Sequence, residues 1–249
     1  MTNVGVFDSG LGGLTVLNEL AKKRPANYFY LGDSARAPYG IRSTDEIISF
    51  AEQIVSFLEK YEIDEYVIAC NTISVLATDF LKEKFNKNFI PIPEAGIAAA
   101  MESHGSYMVL ATNATVNSHY YKNKLSALGK SPVYEVAGTE LVRLIEQGQI
   151  SGEEMDYYLG EYLSIANQNE IDNIILACTH YPIIEKAIRN NLNYQANIIN
   201  PASKIAEIID FKDDSDLNIN IFMTDLNKAS EKLIDEIIKL PYKLELKEI

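Results

Sequence analysis

Tyr66-Val67-Ile68-Ala69-Cys70-Asn71-Thr72 is a short apolar run that stops at a thiol and two small polar side chains. Ile174-Ile175-Leu176-Ala177-Cys178-Thr179-His180 repeats the arrangement in the second half of the chain. A β-branched run ending at a polar cluster has the pattern of a buried strand that empties into a site. Cys70 and Cys178 are the 2 cysteines of the sequence. One such strand per half places two thiols to act on one substrate, an arrangement suited to moving a proton off one face of a carbon and onto the other.

Outward from these runs, strand and helix patterns alternate. In the first half, strands are expected over 3–7, 28–31, 65–69 and 89–92, with helices over 14–23, 44–60 and 73–85. Ser43 or Thr44 is the expected cap of the long helix, with Asp45 and Glu46 in its first turn to suit the helix dipole. Further on, helices are expected over 95–103, 115–128, 140–146, 152–168, 183–190, 202–210 and 228–239. Strands are expected over 107–111, 133–136, 173–176, 197–199 and 218–223, with a closing strand over 242–246. This order predicts an α/β protein of βαβ units with mainly parallel sheets and right-handed crossovers. A diffuse internal repeat runs through it. Asp8 follows the first strand as Thr112 follows Met108-Val109-Leu110-Ala111, and Cys70 and Cys178 end a later strand in each half. Two similar α/β domains facing one another would leave a cleft between strand C-terminal ends, where such folds bind ligands. The expected division is 1–93 plus 204–249 for a discontinuous first domain and 94–203 for the second, with the crossing at 91–96 and the return near 200–202.

The 249 residues carry a net charge of −13 and are 47% apolar. Such acidity disfavours nucleic acid and anionic membrane surfaces, since phosphate needs clustered Lys and Arg. It leaves room for a small anionic substrate bound by backbone N–H groups and hydroxyls. No apolar run approaches the roughly 20 residues that cross a bilayer. Met1-Thr2-Asn3-Val4-Gly5 has no charged segment followed by an apolar one, so a cytoplasmic location with reduced thiols is expected. A Cys70–Cys178 disulfide is disfavoured in that compartment.

Phe7-Asp8-Ser9-Gly10-Leu11-Gly12-Gly13-Leu14 reads as a turn between strand and helix. It could be an anion-binding nest, with Asp8 and Ser9 at the strand end, or a tight turn that needs glycine dihedrals. A dinucleotide site is a third reading, because Asp33 ends the next strand about 20 residues on. The third glycine of that fingerprint is absent, and no Lys-Ser/Thr follows to make a phosphate loop of the Walker type. Asp33-Ser34-Ala35-Arg36-Ala37-Pro38-Tyr39-Gly40 reads as a loop turn or as a cleft wall with a tyrosine lid. Asn71, Thr72, Thr179 and His180 are poor core residues and good binders of carboxylate and ammonium groups. A thiol at a helix N-terminus is expected to have its pKa lowered toward neutral. Thiolate at one site and thiol at the other is what a two-base proton exchange requires. No metal site is expected: no C-x-x-C or H-x-x-x-H spacing exists, and of His104, His119 and His180 only the last lies near a cysteine. A cysteine-protease reading of Cys178 leaves Cys70 unexplained.

Four ordered signatures, spanning nearly the whole chain, resemble the cofactor-independent aspartate/glutamate racemase family. They are Phe7 to Gly13, Asp33 to Gly40, Cys70-Asn71-Thr72 and Cys178-Thr179-His180-Tyr181-Pro182. Cys-Thr-His, rather than Cys-Thr-Glu, is similar to the glutamate branch. The resemblance implies two α/β domains with the substrate between them, interconversion of L- and D-glutamate without pyridoxal phosphate or other cofactor, and a supply of D-glutamate for peptidoglycan. It implies that Cys70 acts on the D-isomer and Cys178 on the L-isomer, assisted by Asp8 and His180. It implies that Ser9, Pro38, Tyr39, Gly40, Asn71, Thr72 and Thr179 hold the amino acid, with Thr112 and Thr115 contributed by the second domain and Glu146 near the amino group. A homodimer is the partner state it suggests. Gly138-Thr139, Asn200-Pro201 and Pro93-Glu94-Ala95-Gly96 depart from the family pattern away from the paired thiols. The rival readings are an aspartate racemase of the same family, an NAD-dependent dehydrogenase built on the glycine loop and Asp33, and a non-catalytic amino-acid-binding protein.

Overall fold

The apolar runs become the strands of two parallel sheets in a computed structural model that describes residues 2–211 and 216–249. The first part of the chain forms β1 (Asn3–Asp8), α1 (Leu14–Lys23), β2 (Asn27–Gly32), α2 (Thr44–Leu58), β3 (Glu65–Ile68), α3 (Asn71–Phe85) and β4 (Phe89–Pro91). There follow α4 (Ile92–Met101), β5 (Tyr107–Ala111), α5 (Asn113–Ser118), α6 (Tyr120–Ala127), β6 (Val133–Ala137), α7 (Thr139–Glu146), α8 (Glu153–Tyr162), α9 (Ser164–Asn169) and β7 (Asn173–Ala177). The chain ends through α10 (Glu185–Asn190), β8 (Asn197–Ile199), α11 (Pro201–Ile208), β9 (Asn218–Met223), α12 (Lys228–Ile237) and β10 (Lys243–Leu246).

One sheet has the order β10-β9-β2-β1-β3-β4 and the other β6-β5-β7-β8. Every strand pair is parallel, so the expected α/β class with parallel sheets is what the chain adopts. Helices bury both faces of each sheet, which is why the strands are almost continuously apolar. Val4, Val6 and Val67 pack with α1, α11 and α12 on one face, while Phe7, Ile68 and Phe89 pack with α2 and α3 on the other. The second sheet repeats the pattern, with Met108, Leu110 and Ile174 on one side and Tyr107, Val109 and Ile175 on the other.

Strand order reverses at β1 in one sheet and at β5 in the other, the points at which parallel sheets open a crevice. Register brings the strand ends level there. Phe7 pairs with Leu31 and Ile68, and Ala111 with Ala137 and Ala177. Ser9 and Cys70 therefore follow neighbouring strand ends in the first sheet, and Thr112, Gly138 and Cys178 follow level strand ends in the second.

Several helices differ from expectation. The helix expected over 115–128 breaks at His119, whose φ of 52° ends α5 and starts α6. The one expected over 152–168 divides at Leu163 into α8 and α9. A 3-10 turn, Tyr181–Ile184, precedes α10 because Pro182 occupies its start. Helix α4 begins at Ile92, earlier than expected, since Pro93 lies in the first turn, where its missing N–H costs nothing. Among the described residues, no helix is long and apolar enough to cross a membrane.

Candidate active site

Both thiols line one cavity of about 60 Å³ between the two sheets. Cys70 is the N-cap residue of α3, delivered by β3, and it is buried. Its thiol donates to the Ser9 hydroxyl at 3.5 Å. The expected lowering of this thiol's pKa is overturned. Burial, with the negative charge of Asp8 and a smaller push from Cys178, outweighs the Ile73 N–H and Ser9, and Cys70 is pushed up to about 12. A helix N-terminus favours thiolate only where the loss of water does not cost more.

Cys178 follows β7 and precedes the 3-10 turn, so no α-helix begins at it. Its sulfur lies 3.8 Å from His180 Nδ1. The other ring nitrogen, Nε2, is 2.5 Å from Glu146 Oε1. Burial disfavours an imidazolium here, but the Glu146 charge and the hydrogen bonds to Cys178 and Glu146 prevail, and His180 is held protonated well above the usual histidine range. Glu146 shows the complementary shift. Burial would raise it, yet the His180 cation, its hydrogen bond and the Leu11 N–H hold the carboxyl below its ordinary value.

Asp8 lies behind the cavity rather than on it, fully buried. It accepts from the Gly10 N–H at 2.9 Å and the Thr179 hydroxyl at 3.0 Å. Burial raises its carboxyl above the usual range despite the His180 charge and hydrogen bonds from Gly10, Thr179 and Gly13.

The glycine loop corrects two expectations. Its N–H groups do not form an open anion nest: those of Gly10 and Gly13 serve Asp8, and that of Leu11 serves Glu146. Nor do its glycines supply left-handed dihedrals, which among the described glycines occur at Gly105, Gly129, Gly148 and Gly152. They permit close approach instead. A Cβ on Gly12 would lie 2.5 Å from Thr179 Oγ1, and one on Gly13 would lie 2.4 Å from Asp8 Cβ. Asp33 is likewise engaged internally. It is buried, bonded to Arg36 Nε at 2.5 Å, to the Thr224 hydroxyl at 2.8 Å and to the Tyr39 hydroxyl. It braces the loop that brings Pro38, Tyr39 and Gly40 to the cavity, and no free carboxylate is left there for a ribose.

Asn71, Thr72, Thr112 and Thr179 also line the cavity. Thr72 and Thr112 join the two units through their hydroxyls at 2.8 Å. Thr115 is buried outside the lining and accepts from the Thr112 hydroxyl at 3.1 Å. Sequence reasoning missed Ile41, Asn113, Val142 and Arg143 as lining residues, and treated Gly138-Thr139 only as a departure. Gly138 directly follows β6 and Asn113 lies two residues past the end of β5, a signal available from strand ends alone. Val142 and Arg143 are adjacent, about one turn into α7, where no local pattern marks them.

The arrangement offers two sulfurs, a protonated imidazole, hydroxyls and amides around one small cavity. A model of the Asp/Glu/hydantoin racemase family matches residues 8–209. A glutamate racemase of Persephonella marina is 35% identical over 99% of this chain and 97% of its own. The crystal structure of a Francisella tularensis glutamate racemase in complex with D-glutamate aligns with a TM-score of 0.87 and 30% identity, over 99% of this chain and 97% of that one. An aspartate racemase of Picrophilus torridus, 19% identical with a TM-score of 0.62 over 83% of this chain and 91% of that one, shares the fold.

Proposed function

The chain belongs to the Asp/Glu/hydantoin racemase family, and from that premise we propose that it interconverts L- and D-glutamate by passing the Cα proton between Cys178 and Cys70. The observation that carries this is the single cavity lined by both thiols. In the L-to-D direction the Cys178 sulfur takes the proton from Cα, and the Cys70 thiol delivers its own proton to the opposite face. One proton leaves carbon and one arrives, so charge and atoms balance. His180, protonated beside Cys178, supports negative charge at that sulfur. Burial and the Asp8 charge keep the proton on Cys70, which suits it as the donor in this direction. In the reverse direction Cys70 must release a proton near Asp8, whose raised carboxyl makes it a fitting acceptor.

A Cα–H beside a carboxylate is a very weak acid, so the site must stabilise the carbanion-like transition state with preorganised donors in a space closed to water. Ser9, Asn71, Thr72, Thr112 and Thr179 supply them, with Thr115 behind Thr112. Pro38, Tyr39 and Gly40 close the wall over the first unit, and Glu146 acts through His180. The chemistry needs reduced thiols, in keeping with a cytoplasmic enzyme that feeds D-glutamate to peptidoglycan synthesis as a homodimer. The division into 1–93 with 204–249 and 94–203 belongs to the same reading.

Polarimetry on both enantiomers of glutamate and aspartate, without added cofactor, tests it. Glutamate should racemise from either side, and aspartate should react slower by about 10–200-fold, the range one methylene commands. In D₂O each product should carry deuterium at Cα. Cys70→Ala and Cys178→Ala should each abolish inversion, and a single variant that racemises at the parent rate ends the two-base reading.

A further inference from the structure

Asn71 is the first residue of α3, buried, and lines the cavity. A primary amide has an acceptor end and a donor end of nearly equal shape, and its partners decide which end faces a ligand. Here the acceptor end is occupied: the Tyr121 hydroxyl donates to Asn71 Oδ1 at 2.7 Å. Tyr121 comes from the other unit. It lies in the first turn of α6, fully buried with Ile97, Tyr107 and Val109 in a core built on β5. The left-handed residue His119 restarts the helix two positions before it. The space around the ring is full, since a Cβ on Gly96 would lie 3.1 Å from both the Tyr121 hydroxyl and its ring. Burial pushes the phenol well above its ordinary pKa, so it remains a proton donor throughout the working range.

We propose that Tyr121 is a positioning residue for the racemisation, taking the Asn71 oxygen so that the Asn71 Nδ2 group is the end presented to the carboxylate of the bound amino acid. This rests on the functional reading above. Without the hydroxyl the amide is free to turn and present its oxygen to an anion, and affinity falls. The carboxylate is anionic from binding through the transition state, so the loss appears mainly as uniform binding.

Tyr121→Phe should raise KM for both enantiomers of glutamate about 10-fold while changing kcat less than about threefold. In an Asn71→Ala background the same change should add nothing to KM, because the two residues act as one unit. Tyr120→Phe removes a neighbouring hydroxyl that bonds Glu94 instead, and should leave KM at the parent value. Gly96→Ala keeps the Tyr121 hydroxyl but displaces it, and should reproduce the rise in KM; it serves if Tyr121→Phe fails to fold. An active parent whose KM is unmoved by Tyr121→Phe and Gly96→Ala overturns the proposal, as does an undiminished effect in the Asn71→Ala background. A parent chain with no racemase activity overturns the functional reading, and the proposal falls with it.

Discussion

Three side chains carry opposing electrostatic assignments within one small space. His180 is an imidazolium because Glu146 stands 2.5 Å from its Nε2, and Cys70 is a thiol because burial and Asp8 both penalise its anion. The pH dependence follows from the directions of the shifts. His180 is raised above its ordinary value of 6.5, so its stabilising contribution is complete below that value and is lost as pH rises through the elevated one. Glu146 is lowered from 4.5, so its contribution is complete above that value and is lost as pH falls through the depressed one. The pair is therefore fully formed between about 4.5 and 6.5 and persists above that until His180 deprotonates. Glu146→Gln removes the charge that holds the imidazolium. The alkaline limb of kcat/KM for L-glutamate should move to lower pH by about one unit or more, read from a pH–rate profile. An unmoved limb would show that Glu146 does not set the His180 charge.

At the scale of elements, the loop between β1 and α1 is shaped by close contacts with both units. Gly12 meets Thr179 and His180, and Gly13 meets Asp8 and the Tyr30 hydroxyl. Any side chain at either position must push a cavity residue or its support. Gly12→Ala is expected to cost about 1–3 kcal/mol in urea unfolding, as overpacking does, and to reduce kcat/KM by at least tenfold through displacement of Thr179 and His180. Gly160, in the last turn of α8, meets nothing within 4 Å. Gly160→Ala should stabilise by about 0.4–1 kcal/mol and leave activity unchanged. A loop that accepts alanine at Gly12 without penalty would contradict the close-approach account.

For the whole molecule, ligand and stability are linked, because the cavity takes its walls from both sheets. At about 100 times its Kd, either enantiomer of glutamate should stabilise by roughly 2.7 kcal/mol and raise the unfolding midpoint by about 5–10 °C. NAD should produce no shift, since Asp33 is committed to Arg36, Tyr39 and Thr224; a shift with NAD would reopen the dinucleotide reading. The sequence by itself determined the strands and the class of fold, because burial on both faces writes a continuous apolar run at β1, β3, β5 and β7, and the polar residue after each run marks the sheet's open edge. That is also why the two thiols and their neighbours could be read from local pattern. Only the tertiary structure decided which way the charges fall. The glycine-loop N–H groups are spent on Asp8 and Glu146, Cys70 is raised rather than lowered, and Tyr121 reaches Asn71 from the other unit. Each of these depends on desolvation and on contacts between residues far apart in the chain, and neither quantity is present in a local stretch of sequence.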